Sequence, residues 1–371
     1  MKSILKKYLV WLLVASLSLF VFIPPEPNET LVAPICAEKN ILCSATTVTE
    51  DTKISSRLYE LIFGKKEENE HLMLVPGGGI FGAKIKQSYV SVQNPGDSRE
   101  IKVGDRIISV NGKRVSSVSD VKKVISEHGT GEFTIVCMRG GKEISVKLKP
   151  KEIDGEYKLG IVLKDGAAGI GTITYIDPET GFFGGLGHGI CDTDTGEVID
   201  FTEGMVTGVM LSGVKKGEEG KPGELSGLLT QKVTGELYAN TECGVFGRLD
   251  NIPDSFSASA LEVAHRDEVH DGAATILSTV KLGTVKEYKI EISNINKGST
   301  GTKSFKIKVT DPALIATTGG VVRGMSGSPI IQDGKLVGAV THVMVSDPTE
   351  GYGIFIENML NAANIPMAKA S

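Results

Sequence analysis

A serine between two glycines is the position in this chain best suited to nucleophilic chemistry. The segment from Gly324 to Pro329 reads GMSGSP and is followed by an apolar run. A turn of this composition can present a hydroxyl while neighbouring backbone N–H groups point at a developing oxyanion. We therefore predict Ser326 as a nucleophile, with the N–H groups of Gly324 and Ser326 as oxyanion donors. An ordinary turn has the same composition, and Ser328 is the second choice of hydroxyl.

A serine hydroxyl needs a base, and the base needs an orienting group. Of the six histidines in the chain, His188 lies in a glycine-flanked loop, FFGGLGHGI, where an imidazole can face a cleft. His265 and His270 lie in a charged stretch that is typical of a solvated surface. The pattern favours His188 as the base, and a hydrogen-bonded loop histidine without a catalytic role is the alternative.

The orienting acid is predicted at a strand end. Asp311 follows an alternating run at 305–310 and precedes a proline, which places it beside a turn. Asp192 and Asp194 are rivals because they lie close to His188 in the sequence. We predict Asp311, which gives the chain order His, Asp, Ser that chymotrypsin uses. A metal held by His188, Asp192 and Asp194 is a weaker alternative, and we predict neither a metal nor a cofactor.

A further histidine lies on the strand that returns after the serine. His342 is in an apolar run at 336–343. In a chymotrypsin-like fold this position flanks the pocket for the residue before the scissile bond, so we predict that His342 contributes to substrate specificity. A packed strand histidine is the alternative, since histidines are often half-buried.

Residues 71–152 have the pattern of a PDZ domain, with short strands at 72–75, 82–86, 89–93, 106–110, 133–139 and 142–148 and one helix at 118–127. Such domains bind a peptide as an added strand and capture its carboxylate with backbone amides. We place that peptide-binding loop at Gly78, Gly79, Ile80 and Gly82. A glycine-rich connector without a ligand is the alternative.

The remaining composition indicates a mainly β, multidomain protein. The chain has 371 residues, 45 glycines and 40% hydrophobic residues, and residues 153–371 alternate short β runs with turns, as a chymotrypsin-like double β-barrel does. A net charge of −5 gives no reason to expect nucleic acid as a partner. The five cysteines form no CxxC pair, which argues against a disulfide framework or a zinc site.

The N-terminus predicts export and a membrane anchor. Lys2, Lys6 and Lys7 precede an uncharged run from Tyr8 to Ile23, an arrangement that directs the following chain across a membrane. We expect residues 1–23 to form an uncleaved signal anchor, at least initially. Residues 24–70 are rich in proline and charge, so we expect a tether that holds the folded part off the bilayer and contains a self-cleavage region.

Several segments together resemble the stage IV sporulation protein B peptidases of endospore-forming bacteria, over nearly the whole chain. These are IKVGDRIISVNG at 101–112, AAGIGT at 167–172, LGH at 186–188, TDP at 310–312, GMSGSP at 324–329, GAVTHV at 338–343 and DPTEGYG at 347–353. The resemblance implies a serine endopeptidase whose catalytic histidine, aspartate and nucleophile fall on His188, Asp311 and Ser326.

The same resemblance implies a place and a partner that composition and spacing do not give. Similar proteins are signalling proteases made in the forespore, tethered to its membrane and facing or released into the intermembrane space. They cut themselves near the N-terminus and cut the regulatory partner of an intramembrane metalloprotease, which leads to activation of the late mother-cell sigma factor. The alternative function is a noncatalytic exported adaptor that binds peptides through its PDZ domain.

Overall fold

The computed structural model describes residues 72–153, 155–252, 259–281 and 283–364. The predicted anchor at 1–23 and the predicted tether at 24–70 lie outside the described residues. None of the helices in the described ranges has the length and apolar character needed to cross a bilayer.

The described chain is mainly β. Its helices are α1 (Val118–His128), α2 (Pro312–Thr318) and α3 (Ile356–Ala362). Its strands are β1 (Met73–Pro76), β2 (Ile80–Asn94), β3 (Arg106–Val110), β4 (Lys113–Arg114), β5 (Phe133–Arg139), β6 (Lys142–Leu148), β7 (Lys151–Ile153), β8 (Glu156–Lys158), β9 (Val162–Ile176), β10 (Phe182–Gly185), β11 (Phe201–Lys215), β12 (Glu224–Thr241), β13 (Gly244–Leu249), β14 (Leu261–Glu262), β15 (Gly272–Ser278), β16 (Lys286–Ser293), β17 (Phe305–Val309), β18 (Pro329–Gln332), β19 (Lys335–Met344) and β20 (Asp347–Phe355).

The only helix of the PDZ-like part within the described residues is α1, and its ends follow from the sequence. Ser117 caps the N-terminus in a reciprocal pair of hydrogen bonds with Asp120, and the helix ends at Gly129, which has a φ of 65°. Its apolar face packs into a core with strands β3 and β5, formed by Val121, Val124, Ile125, Ile107 and Ile135. The helix predicted at 118–127 is therefore present at almost the predicted bounds.

Two β-barrels form the rest of the described fold. Strands β9, β10, β13, β12, β11 and β2 close into a first ring, because β2 pairs with both β11 and β9. The second barrel is closed in the order β15-β16-β17-β20-β19-β18. In β17 the apolar Phe305, Ile307 and Val309 are buried and the intervening lysines point outward, which agrees with the alternating pattern of the sequence.

The PDZ-like part and the first barrel share two long strands. The first half of β2 pairs with β11 in the barrel, and its second half pairs with β3 through Val90 and Ser91. Likewise, β9 pairs with β2 in the PDZ-like part through Leu163 and in the barrel through Ile170. The sheet therefore runs across the boundary predicted between 152 and 153, and the strands that precede the PDZ-like core also complete the first barrel.

The glycine loop predicted to bind a peptide lies between the two barrels instead. Gly78 donates its N–H to the Ile173 carbonyl at 2.8 Å, and its own carbonyl accepts the Thr279 hydroxyl at 3.0 Å. A Cβ atom on Gly78 would lie 2.7 Å from Leu277. The loop predicted to bind a peptide, at Gly78, Gly79, Ile80 and Gly82, thus uses backbone groups to hold barrel strands together.

Another edge of the PDZ-like part is open to an added strand. Over residues 162–170, β9 pairs only with β2 among the described residues. Helix α1 lies beside this edge, and the Val118 N–H donates to the Asp165 carboxylate at 2.8 Å. PDZ domains take up an extended peptide as an added strand at a sheet edge.

Candidate active site

The turn that carries Ser326 is pressed against strand β9 of the first barrel. The Thr172 hydroxyl donates to the Gly324 carbonyl and the Thr174 hydroxyl to the Gly327 carbonyl, each at 2.8 Å. The Thr172 N–H donates to the Ser326 carbonyl at 2.9 Å. Alternate residues of one strand thus fix three carbonyls of the turn, and the two barrels meet at the candidate nucleophile.

Glycines permit this close approach. Gly324 and Gly327 have φ values of 95° and 94°, which side-chain-bearing residues rarely adopt. A Cβ atom on Gly327 would lie 2.0 Å from the Thr172 carbonyl oxygen and 2.5 Å from the Leu186 nitrogen. The turn is therefore adjacent to the segment that leads to His188.

Two backbone donors of the turn are free to bind an oxyanion. Met325, Gly327 and Ser328 donate their N–H groups to backbone carbonyls. By contrast, the N–H groups of Gly324 and Ser326 donate no hydrogen bond to any described residue. These are the two donors predicted for the oxyanion, and unpaired N–H groups of the nucleophile and of the residue two before it suit that role.

The structure distinguishes the two candidate hydroxyls. Ser328 is fully buried and its Oγ lies 3.1 Å from the Ser278 hydroxyl, so it cannot reach a substrate. Ser326 is only partly buried, and its hydroxyl donates to the Thr341 carbonyl at 2.9 Å. Ser326 is therefore the hydroxyl available for chemistry, at present turned toward β19.

His188 lies directly after β10 in a strained loop and is 5% exposed. Leu186 and Gly187 both have positive φ, at 66° and 68°. The Nδ1 atom of His188 lies 2.9 Å from the Gly189 carbonyl oxygen, and since a carbonyl can only accept, Nδ1 carries the proton. The buried Nε2 has no hydrogen-bond partner and is left with its lone pair. Burial lowers the pKa of His188 below its ordinary 6.5, although the Gly189 contact opposes this effect.

His342 lies beside His188 on β19. The two ring centroids are 5.5 Å apart, and the Nδ1 atom of His342 is buried without a partner. Burial first, then the neighbouring His188 and Lys303, lowers the pKa of His342 to about 3. Both imidazoles are consequently neutral near pH 7. His342 follows Thr341, whose carbonyl accepts the Ser326 hydroxyl, and the Leu186 backbone adjoins Gly327. The structure therefore places the segments that carry His188, Ser326 and His342 beside one another.

Asp311 makes no contact with His188 in the described structure. It is the N-cap of α2, where its Oδ1 accepts the N–H groups of Ala313 at 2.9 Å and Leu314 at 3.1 Å. Its other oxygen faces the Lys289 N–H at 3.4 Å. No hydrogen bond links this carboxylate to either described ring nitrogen of His188. The predicted Asp311–His188 contact is absent because helix capping uses the carboxylate.

The rival carboxylates do not take the orienting role either. Asp192 and Asp194 face the Lys164 ammonium, and Asp192 also accepts backbone N–H groups of its own loop. The described residues contain no group of three or more histidines, cysteines or carboxylates arranged to hold a metal. The group that orients His188 is the carbonyl of Gly189, a backbone atom that no sequence motif reveals. The threonines that hold the serine turn were also missed, although their alternation in GTITY at 171–175 is visible.

Comparison with protein families shows to which family this chain belongs. The family model of SpoIVB peptidase S55 matches residues 155–360, which is more than half of the chain. The chain belongs to the SpoIVB peptidase S55 family. A PDZ-domain model matches residues 63–149. The family that the resemblance implied is therefore confirmed, and the S55 chain also carries a PDZ-domain match.

Curated relatives of this S55 chain match it only over a short stretch. Serine protease HTRA1 of Xenopus tropicalis is 42% identical over 99 residues, which are 26% of this chain and 21% of the relative. "Putative zinc metalloprotease mll0638" of Mesorhizobium japonicum is 29% identical over 92 residues, 25% of each. The chain thus spans about a quarter of the length of these relatives. Their names give two catalytic classes, so these matches do not decide the chemistry.

Solved structures resemble the S55 chain weakly. The HtrA-type protease AlgW with a decapeptide has a TM-score of 0.33 at 10% identity, covering 78% of this chain and 64% of that one. A PDZ domain of the SdrC-like protein from Listeria monocytogenes has a TM-score of 0.20 at 23% identity, covering 22% of this chain and 93% of that one. Likenesses at these scores carry no argument about activity.

Proposed function

We propose that this chain is a serine endopeptidase with Ser326 as nucleophile, His188 as general base and the N–H groups of Gly324 and Ser326 as oxyanion donors. The observation that carries the proposal is the Nε2 atom of His188, which is buried, unprotonated and without a partner, in a segment that adjoins the Ser326 turn through Leu186. An unpaired buried polar atom costs stability, and an acceptor kept in this state is suited to take a proton.

The reaction begins when the Ser326 hydroxyl turns from the Thr341 carbonyl to Nε2 of His188. The Oγ atom bonds to the substrate carbonyl carbon, its proton passes to Nε2, and the carbonyl electron pair moves to the oxygen held by the Gly324 and Ser326 N–H groups. The imidazolium then gives its proton to the leaving nitrogen as the C–N bond breaks. Water, activated by Nε2 in the same way, hydrolyses the acyl-enzyme.

In this proposal the Gly189 carbonyl does part of what a triad carboxylate does. It fixes the tautomer of His188, which is one role of the aspartate in the Ser-His-Asp arrangement. A neutral carbonyl stabilises an imidazolium less than a carboxylate does. We therefore infer a slow peptidase in this conformation, a property suited to a signalling event that happens once.

The biological role rests on the family. We propose that the protein is exported, tethered to the forespore membrane through residues 1–23, and faces the intermembrane space. There it cleaves itself within residues 24–70 and cleaves the regulatory partner of an intramembrane metalloprotease, which leads to late sigma-factor activation in the mother cell. Membership of the S55 family and the basic N-terminus before an apolar run support this role.

Ser326→Ala in the full chain tests the proposal. A fluorophosphonate, which bonds to an activated serine with loss of fluoride, should label the wild type and not this variant, and cleavage between residues 24 and 70 should disappear. Ser328→Ala is the matched control, because that hydroxyl is buried in the same turn. Labelling and cleavage that persist in Ser326→Ala would contradict the proposal. A wild type that neither labels nor cleaves would favour the peptide-binding adaptor.

A further inference from the structure

The segment that follows His188 is a closed acidic loop at residues 191–198. It is closed by an isolated β-bridge between Cys191 and Val198. Inside it, the Asp192 carboxylate accepts the N–H groups of Asp194 at 2.8 Å and Thr195 at 3.2 Å. The conformation of the acidic loop therefore depends on the position of one buried carboxylate, which is 3% exposed as a residue.

The base of the acidic loop is fixed to the residues that orient the catalytic imidazole. The Asn240 side chain bonds to both the N–H and the carbonyl of Ile190 at 2.8 Å, and to the Ile199 carbonyl at 2.9 Å. The Gly189 carbonyl, which sets the tautomer of His188, is one residue before Ile190. Only two residues, Gly189 and Ile190, separate the acidic loop from His188.

The other side of the acidic loop is held by the PDZ-like part. Lys164 on β9 places its ammonium 3.2 Å from the Asp192 carboxylate and 2.5 Å from that of Asp194. The side chains of Lys164 and Asp192 are only 17% and 2% exposed. Arg106, on β3, pairs with Glu197 at a more exposed point of the same loop. Charges shielded from water in this way interact more strongly than charges at the surface.

We infer that Lys164 is a positioning residue that couples the PDZ domain to the His188 base through Asp192 and Asp194. Removal of its ammonium leaves the Asp192 carboxylate buried without a counter-charge, a state that proteins avoid by rearranging. The rearrangement shifts the acidic loop and with it the Gly189 carbonyl. This inference rests on the proposed function for its effect on rate, and on the geometry alone for its effect on the loop.

Lys164 lies where a PDZ ligand would act. It belongs to the part of β9 that pairs with β2 in the PDZ-like part, through Ser91, and the next residue, Asp165, binds the start of α1. A peptide added to the free edge of β9 would run beside this lysine. Because β9 continues into the first barrel, one strand carries the PDZ edge, Lys164 and the Thr172 that holds the serine turn.

Lys164→Met, which keeps the aliphatic stem, is the test. We expect kcat for a short peptide to fall about tenfold or more, as displacement of a catalytic group does, with KM changed less than about twofold because no substrate contact is removed. Lys164→Arg keeps the charge and should recover most of kcat. The matched control is Lys86→Met, since Lys86 also pairs across strands but with the exposed Glu203, at side-chain exposures of 48% and 63%.

A second measurement keeps the inference testable without catalysis. In Ser326→Ala protein, amide hydrogen exchange at Asp194 and Thr195 should speed up in Lys164→Met and stay at its original rate in Lys86→Met. The midpoint of the His188 titration, followed by NMR, should also shift in Lys164→Met and not in Lys86→Met. Unchanged exchange and an unchanged titration would overturn the inference whatever the fate of the proposed function. If the loop responds but no variant cleaves peptide, the proposed function fails and the coupling stands.

Discussion

The two segments that carry the catalytic groups are held in place by different forces. The Ser326 turn is held by neutral hydrogen bonds from Thr172 and Thr174 and by the close approach that Gly327 permits. The His188 side is held by backbone and amide bonds at its base and by charges at its far end, through Lys164 and the acidic loop. The nucleophile is therefore held at the interface between barrels by neutral bonds, whereas the base, by our inference, depends on the charge of Lys164 on the PDZ-like part of β9.

Removal of the His188 imidazole should lower activity more than any other change proposed here. It tests whether the segment that carries the base is needed for catalysis. His188→Ala should lower kcat by roughly 10⁴-fold or more, as loss of the base does where nucleophile and base act as a unit. The rate of acylation in a single turnover measures this loss. His270→Ala is the control, because His270 is exposed and pairs with Asp333. A fall in kcat of less than about tenfold in His188→Ala would assign the base to another group.

A methyl group in the serine turn should have the next largest effect. In Gly327→Ala the added Cβ would lie 2.0 Å from the Thr172 carbonyl oxygen, so the turn must leave β9 and both unfolding free energy and activity should fall. Gly334→Ala is the matched control, because Gly334 also has positive φ, at 77°, but its Cβ would meet nothing within 4 Å. We expect about 1–3 kcal/mol of strain in both variants, and an additional loss only in Gly327→Ala. Equal losses in denaturant titration would show that the turn is not pressed against β9.

Local sequence patterns predicted most of the fold. The alternation at 305–309 and the helix pattern at 118–127 are short-range signals, and both elements form at the expected residues. The continuity of β2 was not predicted, since its central residues read as a break between two strands. Whether a strand serves one sheet or two is decided by its partners, and β11 is more than a hundred residues away in the chain.

In the candidate site, too, residues with a local sequence signal were predicted and those without one were not. Ser326, Gly324 and His188 were predicted because glycine-flanked turns are visible in the sequence, and the structure places the two turns beside each other at Gly327 and Leu186. Asp311 shows the limit of this reasoning, because an aspartate before a proline has one appearance whether it caps a helix or orients an imidazole. The Gly189 carbonyl has no side-chain signature. The glycine loop at 78–82 was assigned to peptide binding because close packing and ligand binding both favour glycine.

Acid should weaken the histidine side of the site through His342. Its pKa is lowered to about 3 by burial in the folded protein, while the unfolded chain binds the proton near 6.5. The stabilising contribution is therefore complete above pH 6.5 and is lost as pH falls from 6.5 toward 3. In His342→Gln the slope of unfolding free energy against pH in this range should decrease.

The control for this titration is His270, whose pKa is shifted in the opposite direction. The pKa of His270 is raised by the Asp271 carbonyl and by Asp333, so the stability it adds is present below 6.5 and is lost as pH rises through its folded pKa. His270→Gln should thus leave the slope in the acid range as steep as in the wild type or steeper. An unchanged slope in His342→Gln would show that this imidazole is hydrated and not buried beside His188.

The smallest expected effect separates a helix cap from a catalytic acid at Asp311. A cap accepts N–H groups, which asparagine does as well as aspartate, so Asp311→Asn should keep both stability and kcat near wild type, whereas Asp311→Ala should cost about 1 kcal/mol of unfolding free energy. A triad aspartate behaves differently, because its replacement by asparagine fixes the wrong histidine tautomer and lowers kcat by roughly 10⁴-fold. Comparing kcat and thermal unfolding of the two variants decides between these roles. A large fall in kcat for Asp311→Asn at unchanged stability would mean that α2 moves to bring this carboxylate to His188, and that the Gly189 carbonyl orients the imidazole only in the resting enzyme.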